Sequence, residues 1–221
     1  SHIDSEHQRL YYVDMSHPCT LSLDVEELIL EPYASSQSVQ KALGEARDAL
    51  REAIVALYPG QLLLSMDQVD IYDTLIPLIT EENDVPSTPL IPRQLGEALC
   101  VPFGEIFKKR ILPNTVTKSM HTEKYFCSDL KGFYIEHFPG YLDLEEQVRM
   151  VRSFDRPLLL VDDLLHKGYR LKTIYPILKD HGLKTKKLFV GILSGSGKSI
   201  AEELNMEVES AYFIPRLRFW F

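Results

Sequence analysis

Pro157-Leu158-Leu159-Leu160-Val161-Asp162-Asp163-Leu164-Leu165-His166-Lys167-Gly168-Tyr169-Arg170-Leu171 is the stretch on which the fold turns. The apolar run Leu158 to Val161 is the mark of a strand buried on both faces, as parallel strands are. It leads into two adjacent carboxylates, Asp162 and Asp163. A short loop holding Gly168 follows. Beyond it Leu171, Ile174, Tyr175 and Leu178 recur at helical spacing, and His181-Gly182 closes the helix with a glycine. Strand, loop and helix in that order put the acids at the carboxyl end of a parallel strand, where open α/β sheets bind ligands. Acids there face a ligand's hydroxyls, while the amides opening the next helix face its phosphate. The same acids also suit a plain helix start, which favours Asp without any ligand.

Outward from this stretch, the pattern repeats. Lys187 to Leu193 is a second continuous apolar strand, and Ser194-Gly195-Ser196-Gly197-Lys198-Ser199 turns into a helix running through Leu204. Leu144 to Val151 predicts the helix before the key strand. Upstream, apolar residues at 39, 42, 43, 46, 49, 50, 53, 54 and 57 form a helical stripe that Tyr58-Pro59-Gly60 ends. Gln61 to Met66 reads as a strand, and Ile71 to Ile79 as a helix with Pro77, an unfavourable residue there, in its middle. Residues 85–92 carry three prolines and predict an extended or looped segment. Arg93 to Leu99 predicts a short helix, Glu105 to Ile111 a strand, and Thr115 to Phe126 a hairpin or loop. Tyr11 to Val13 and Leu21 to Val25 suggest short strands, and the aromatic, β-prone stretch from Val208 to Phe221 a last one. Apolar strands alternating with helices make the class α/β, with a mostly parallel central sheet flanked by helices. Residues 1–37 are expected to form an irregular, partly β segment packing on the core. Residues 38–221 are expected to form the α/β domain, as a piece of a longer polypeptide.

Composition narrows the partners. At 221 residues and 45% hydrophobic content, a core can hold the fold without disulfides or metal. A net charge of -8 argues against a nucleic-acid partner. Cys19, Cys100 and Cys127 are scattered, with no CxxC pair, as in reduced cytoplasmic proteins. No apolar run of membrane-spanning length occurs, so no membrane partner is expected. Seven histidines show no HxxxH or HxH spacing, which argues against zinc. Gly195 to Ser199 approaches a P-loop, but that pattern needs glycine five residues before Gly197, where Ile192 stands.

The hydrophobic run ending in Val161-Asp162-Asp163 resembles the fingerprint of the type I phosphoribosyltransferases. In that family four hydrophobic residues and two acids precede a loop of the form Thr-Gly-x-Thr. This chain differs in the loop, where His166, Lys167, Gly168, Tyr169 and Arg170 stand. The resemblance implies a type I phosphoribosyltransferase-like fold and a glycosyl transfer from phosphoribosyl pyrophosphate to an unidentified base or small nucleophile. Asp162 and Asp163 would be the catalytic pair on the ribose. Residues 166–170 would hold the 5-phosphate by backbone amides around Gly168 and by the charges of Lys167 and Arg170. The family also carries cations upstream for pyrophosphate. Lys108, Lys109 and Arg110, with Lys118, His121 and Lys124, match that place, although a solvated loop would also account for them. Ser194, Gly195 and Lys198, in the loop after the next strand, would touch a phosphate or the acceptor. Mg2+ would arrive on the substrate phosphates, since it keeps several waters and few protein ligands.

The runs Val101-Pro102-Phe103-Gly104-Glu105, Pro113-Asn114-Thr115-Val116-Thr117-Lys118 and Val161 to Arg170 are also similar to a bacterial group labelled cytidyltransferase-related. There a phosphoribosyltransferase-like region follows a nucleotidyltransferase domain. No HxGH motif occurs here, so that activity is not carried over. Two other readings stay open: a non-catalytic ligand-sensing module of such a larger protein, and a different α/β phosphate-ester enzyme. The expected partner is a small sugar phosphate or nucleotide, with a homodimer left open.

Overall fold

A computed structural model describes residues 18–24, 29–84, 95–104 and 115–220. The chain divides into two units, residues 1–71 with 214–221, and residues 72–213.

In the first unit, β1 (Cys19–Asp24) lies between β2 (Leu62–Asp67) and β10 (Leu217–Trp220), parallel to both. Helix α1 (Gln37–Leu57) precedes β2 and covers the predicted stripe. None of its residues is buried. Helix α2 (Gln68–Glu82), which starts in this unit and lies mostly in the second, covers the helix expected over 71–79 and runs on through Pro77. Proline removes one backbone donor, but the surrounding turns supply enough apolar burial to keep the helix, with Ile71, Leu75 and Ile79 all fully buried.

The second unit is built on a five-stranded sheet in the order β4-β3-β7-β8-β9. These are β3 (Leu99–Pro102), β4 (Val116–Thr117), β7 (Leu158–Leu165), β8 (Thr185–Ser194) and β9 (Val208–Ile214). The pairs β3–β4, β3–β7 and β7–β8 are parallel. This is the α/β class the sequence predicts, and it follows from strands that are apolar along their length. Leu158 to Val161 and Leu188 to Val190 are all fully buried. Helices α3 (Leu144–Arg152), α4 (Tyr169–Asp180) and α5 (Gly195–Glu203) supply Val148, Ile174 and Ile200 to the same core. On β8, next to the edge strand β9, Lys187 reaches Glu82 at 3.2 Å, Glu207 at 3.2 Å and Glu209 at 2.9 Å. Burial works against its charge, yet those carboxylates hold its ammonium above the ordinary lysine range.

Three sequence expectations change. Residues 95–98 are not helical, and Leu99 opens β3, because a fully buried Leu-Cys-Val serves better as a central strand than as a helix end. The hairpin expected within Thr115 to Phe126 is instead formed by β5 (Thr122–Phe126) with β6 (Phe133–His137), in an antiparallel register. The key strand does not stop at the acids: Leu164 and Leu165 continue it, paired with Ile192 and Leu193 of β8. The extended or strand segments expected at 11–13, 85–92 and 105–111 lie outside the described residues.

Cys100 in β3 is fully buried, whereas Cys127 is exposed. Burial pushes the Cys100 thiol up from 9.0 to about 12, against a smaller opposing effect of its hydrogen bond with Thr115. The folded state therefore favours the neutral thiol. That contribution to stability is whole below pH 9.0 and is lost as pH rises toward about 12. Iodoacetamide at mildly alkaline pH is expected to alkylate Cys127 and spare Cys100 until the protein unfolds. Mass spectrometry of the labelled sites checks this, and equal labelling of both thiols in the folded protein would contradict it.

Candidate functional site

In chain order, the strands of the central sheet lie second, first, third, fourth and fifth across it. The chain leaves β3 toward one edge and returns to build β7, β8 and β9 on the other side. Strand order therefore reverses between β3 and β7, and the carboxyl ends of those two strands flank the crevice where such sheets take ligands. Asp162 and Asp163 stand on β7 at that place.

Their close neighbour is Gly104, two residues past the end of β3. Phe103 N–H donates to Val161 O at 3.0 Å and holds the two strand ends together. A Cβ placed on Gly104 would fall 2.5 Å from Asp162 Oδ1 and 2.5 Å from both Cγ and Oδ1 of Asp163. Both carboxyl groups thus converge on one stretch of bare backbone. Only glycine permits that approach. Asp162 is 4% exposed, and its Oδ1 accepts from Asp163 N–H at 2.7 Å. Arg170, in the first turn of α4, donates from Nη1 to Phe103 O at 2.9 Å and lies 3.9 Å from Asp162 Oδ1. A buried carboxylate needs such company, since an unpaired buried charge is costly.

The loop beyond the acids is rigidly set. Gly168 takes the left-handed conformation, φ 70°, as N-cap of α4 and offers the helix no side-chain cap. The first turn of α4 also contains no acid. Its opening amides have no intrahelical acceptor and present partial positive charge, the arrangement that receives anions. By contrast, Asp143 caps α3 and Ser194 caps α5 with side-chain oxygens. His166 is buried and shares a 2.8 Å hydrogen bond from Nδ1 with Ser194 Oγ. Ser194 Oγ also donates to Leu165 O at 3.3 Å and accepts from Gly197 N–H at 2.9 Å. One serine thereby ties the end of β7 to the start of α5. Lys167 is exposed on the loop.

The hairpin of β5 and β6 reaches the same helix start. Tyr169 packs edge-on against Phe133 of β6 with ring centroids 4.6 Å apart, and Lys124 Nζ sits 4.4 Å from the centroid of that Phe133 ring. Lys124 and Tyr169 are thus brought together through an aromatic residue the sequence reading missed. His121 stacks on Tyr141 at 3.9 Å, and Gln147 of α3 bonds both its backbone N–H, at 2.7 Å, and its carbonyl, at 3.0 Å. Lys118 follows β4 directly, its N–H donating to Cys100 O at 2.9 Å. Gly195 is the first residue of α5, and Lys198 Nζ lies 5.8 Å from the Phe213 ring centroid. Lys108, Lys109 and Arg110 lie outside the described residues. In the sequence Gly104 is one residue of the run Val101 to Glu105. Its signal there was a glycine closing an apolar strand, which gains meaning only once β3 is known to lie beside β7.

Among the described residues, no group of three His, Cys, Asp or Glu side chains is placed to hold a metal ion, and no helix is long and apolar enough to cross a membrane. The adjacent Asp162 and Asp163 carboxylates are hard oxygen donors. As a pair they fit an ion that keeps most of its ligands from water and substrate.

No family model matches the sequence, and no curated protein matches it. Among solved structures, the chain is similar to a purine phosphoribosyltransferase from Pyrococcus horikoshii, at 14% identity and a TM-score of 0.42, over 71% of this chain and 90% of that one. It is similar to a hypoxanthine phosphoribosyltransferase from Staphylococcus aureus at 15% identity and a TM-score of 0.37, over 67% and 74%. It also resembles the AQ2163 protein of Aquifex aeolicus at 17% identity and a TM-score of 0.37, spanning 53% of this chain and only 54% of that one. Likenesses this distant fix neither family nor activity.

The tightest approach around the loop is at Gly197, where an added Cβ would meet Leu165 O at 2.0 Å. Gly197→Ala is expected to cost about 1–3 kcal/mol in urea unfolding, as overpacking against backbone does. Gly44, mid-helix with nothing within 4 Å of an added Cβ, serves as the control. Gly44→Ala is expected to gain up to about 1 kcal/mol from helix propensity. A neutral Gly197→Ala would contradict this packing.

Proposed function

We propose that this protein binds phosphoribosyl pyrophosphate at the crevice between β3 and β7 and transfers its ribose 5-phosphate to a base or other small nucleophile. The observation that carries the reading is the convergence of Asp162 and Asp163 on Gly104 beside the uncapped, acid-free start of α4. Hydroxyls and phosphate are the two ends of a ribose phosphate, and this pairing offers acceptors for one and amides for the other. The sequence fingerprint around Val161-Asp162-Asp163 agrees with it.

In the proposed reaction the bond between C1 of the sugar and the pyrophosphate oxygen breaks, and its electron pair leaves with pyrophosphate. The nucleophile's lone pair forms the new bond to C1, and its proton passes to solvent or a base. Positive charge builds on the ribose ring meanwhile, and the fixed carboxylates of Asp162 and Asp163 stabilise it without reorganising. Lys118 and Lys124, with Lys108 to Arg110, are the proposed counterweights to the departing charge. Mg2+ bound to the substrate phosphates would neutralise pyrophosphate further. Arg170, held by Phe103 O, serves as a positioning residue for Asp162.

One observation favours a second reading. Arg170 lies 3.9 Å from Asp162 Oδ1, so a guanidinium already stands beside one of the two carboxylates. A guanidinium there, with Tyr169 and Lys167 in place of small hydroxyl residues, suits a module that binds the sugar phosphate without turning it over, such as a sensor attached to a nucleotidyltransferase.

Calorimetry with phosphoribosyl pyrophosphate and Mg2+ tests the shared claim. Saturable binding is expected, reduced about 100-fold or more in Asp162→Asn/Asp163→Asn, as loss of two charge-assisted contacts implies. Gly104→Ala, which pushes both carboxylates aside, is expected to act in the same direction. A protein that ignores the ligand at millimolar concentration defeats both readings, and pyrophosphate release over a panel of bases separates the enzyme from the sensor.

A further inference from the structure

We propose that a cationic cleft at the opposite end of the central sheet is a second, separate binding site, for a small molecule carrying several phosphates. The cleft encloses about 460 Å3 between the loop that enters β7, residues 153–157, and the loop that enters β8, residues 181–184. That is within the size of small-molecule sites, roughly 300–1,000 Å3. It faces the amino ends of β7 and β8, whereas Asp162 and Asp163 lie toward the carboxyl end of β7, so the two sites share no residue.

Charge sets its chemistry. Arg152, Arg156, Lys184 and His181 line the cleft, and Asp155 is the only carboxylate among the lining residues. Arg152, Arg156 and Lys184 against one carboxylate stand out in a chain of net charge -8. Two of the four bases are held in place. Arg156 Nη1 donates to Gly96 O at 2.8 Å and to Glu97 O at 3.1 Å, which fixes the guanidinium while leaving it further N–H donors. His181 Nε2 donates to Glu145 Oε2 at 2.6 Å. The frame is fixed too: Leu99 N–H donates to Pro157 O and Leu158 N–H to Lys184 O, each at 2.8 Å. A planar guanidinium in a rigid cleft is suited to phosphate oxygens, which it meets with paired hydrogen bonds.

Cations at helix ends also complement the macrodipole, and Arg152 stands at the end of α3. That role does not account for Arg156 and Lys184, which lie in the loops. Nor do the last carbonyls of α4 oppose an anion strongly. Gly182 N–H donates to Lys179 O at 2.9 Å and Leu183 N–H to Leu178 O at 3.0 Å, the paired bonds of a Schellman turn.

Inorganic tripolyphosphate titrated into the full chain by calorimetry tests the site, in an Asp162→Asn/Asp163→Asn background that removes the sugar contacts of the crevice, with the site read from the change that substitutions in the cleft make. Saturable binding is expected, weakened about tenfold or more when Arg152→Glu/Lys184→Glu is added. Arg152→Gln/Lys184→Gln gives the same comparison should charge reversal unfold the chain, with thermal melts as the check. In the otherwise wild-type protein, either pair of changes is expected to leave the part of phosphoribosyl pyrophosphate binding that Asp162→Asn/Asp163→Asn removes within about twofold, so failure here is distinct from failure of the crevice. No tripolyphosphate binding at millimolar concentration overturns the proposal, as does an affinity indifferent to these substitutions.

Discussion

The candidate site depends on a missing side chain. Two carboxylates come together because residue 104 has no Cβ to keep them apart, with the space it would fill lying 2.5 Å from atoms of both. Neighbouring residues on a strand ordinarily send their side chains to opposite faces. Here Phe103 and Val161 join the two strand ends, and the bare backbone beyond β3 gives both acids one surface to lie against. Arg170 then links Asp162 to the same strand end by binding Phe103 O. Strand order, glycine and guanidinium together turn two ordinary acids into one anionic edge.

Around that edge the elements divide the work. The end of β7 is locked to α5 through Ser194, which serves at once as helix cap and as partner of the buried His166. Gly197 lets the α5 backbone meet Leu165 closely, so the loop has little room to shift. The start of α4 stays uncapped while its neighbours α3 and α5 are capped. Unsatisfied amides are costly to a helix unless water or a ligand meets them. Over them leans the β5–β6 hairpin, joined to Tyr169 through Phe133.

Much of this was legible in the sequence, and for a plain reason. Fully buried parallel strands are apolar throughout, so Leu158 to Val161 and Leu188 to Leu193 announced themselves, as did the helix beginning at Tyr169 behind its glycine. Local signals also marked Asp162, Asp163 and the loop to Arg170. What stayed hidden needed knowledge of which strands are neighbours. Gly104 is an ordinary glycine until β3 is placed beside β7, and Phe133 is an ordinary aromatic until the hairpin meets α4. Gln147, which clasps His121 from both sides of its peptide, lies 26 residues away in the chain. The short helix expected up to Leu99 is absent from residues 95–99, because Leu95, Ala98 and Leu99 are too few apolar residues to separate a strand from a helix turn.

The most direct measurement is a crystal structure of the protein soaked with phosphoribosyl pyrophosphate and Mg2+. The account predicts density for the ribose against the Asp162 and Asp163 carboxylates, with the 5-phosphate on the amides that open α4. Density for the sugar away from β7, or carboxylates facing open solvent with no hollow beside Gly104, would contradict it.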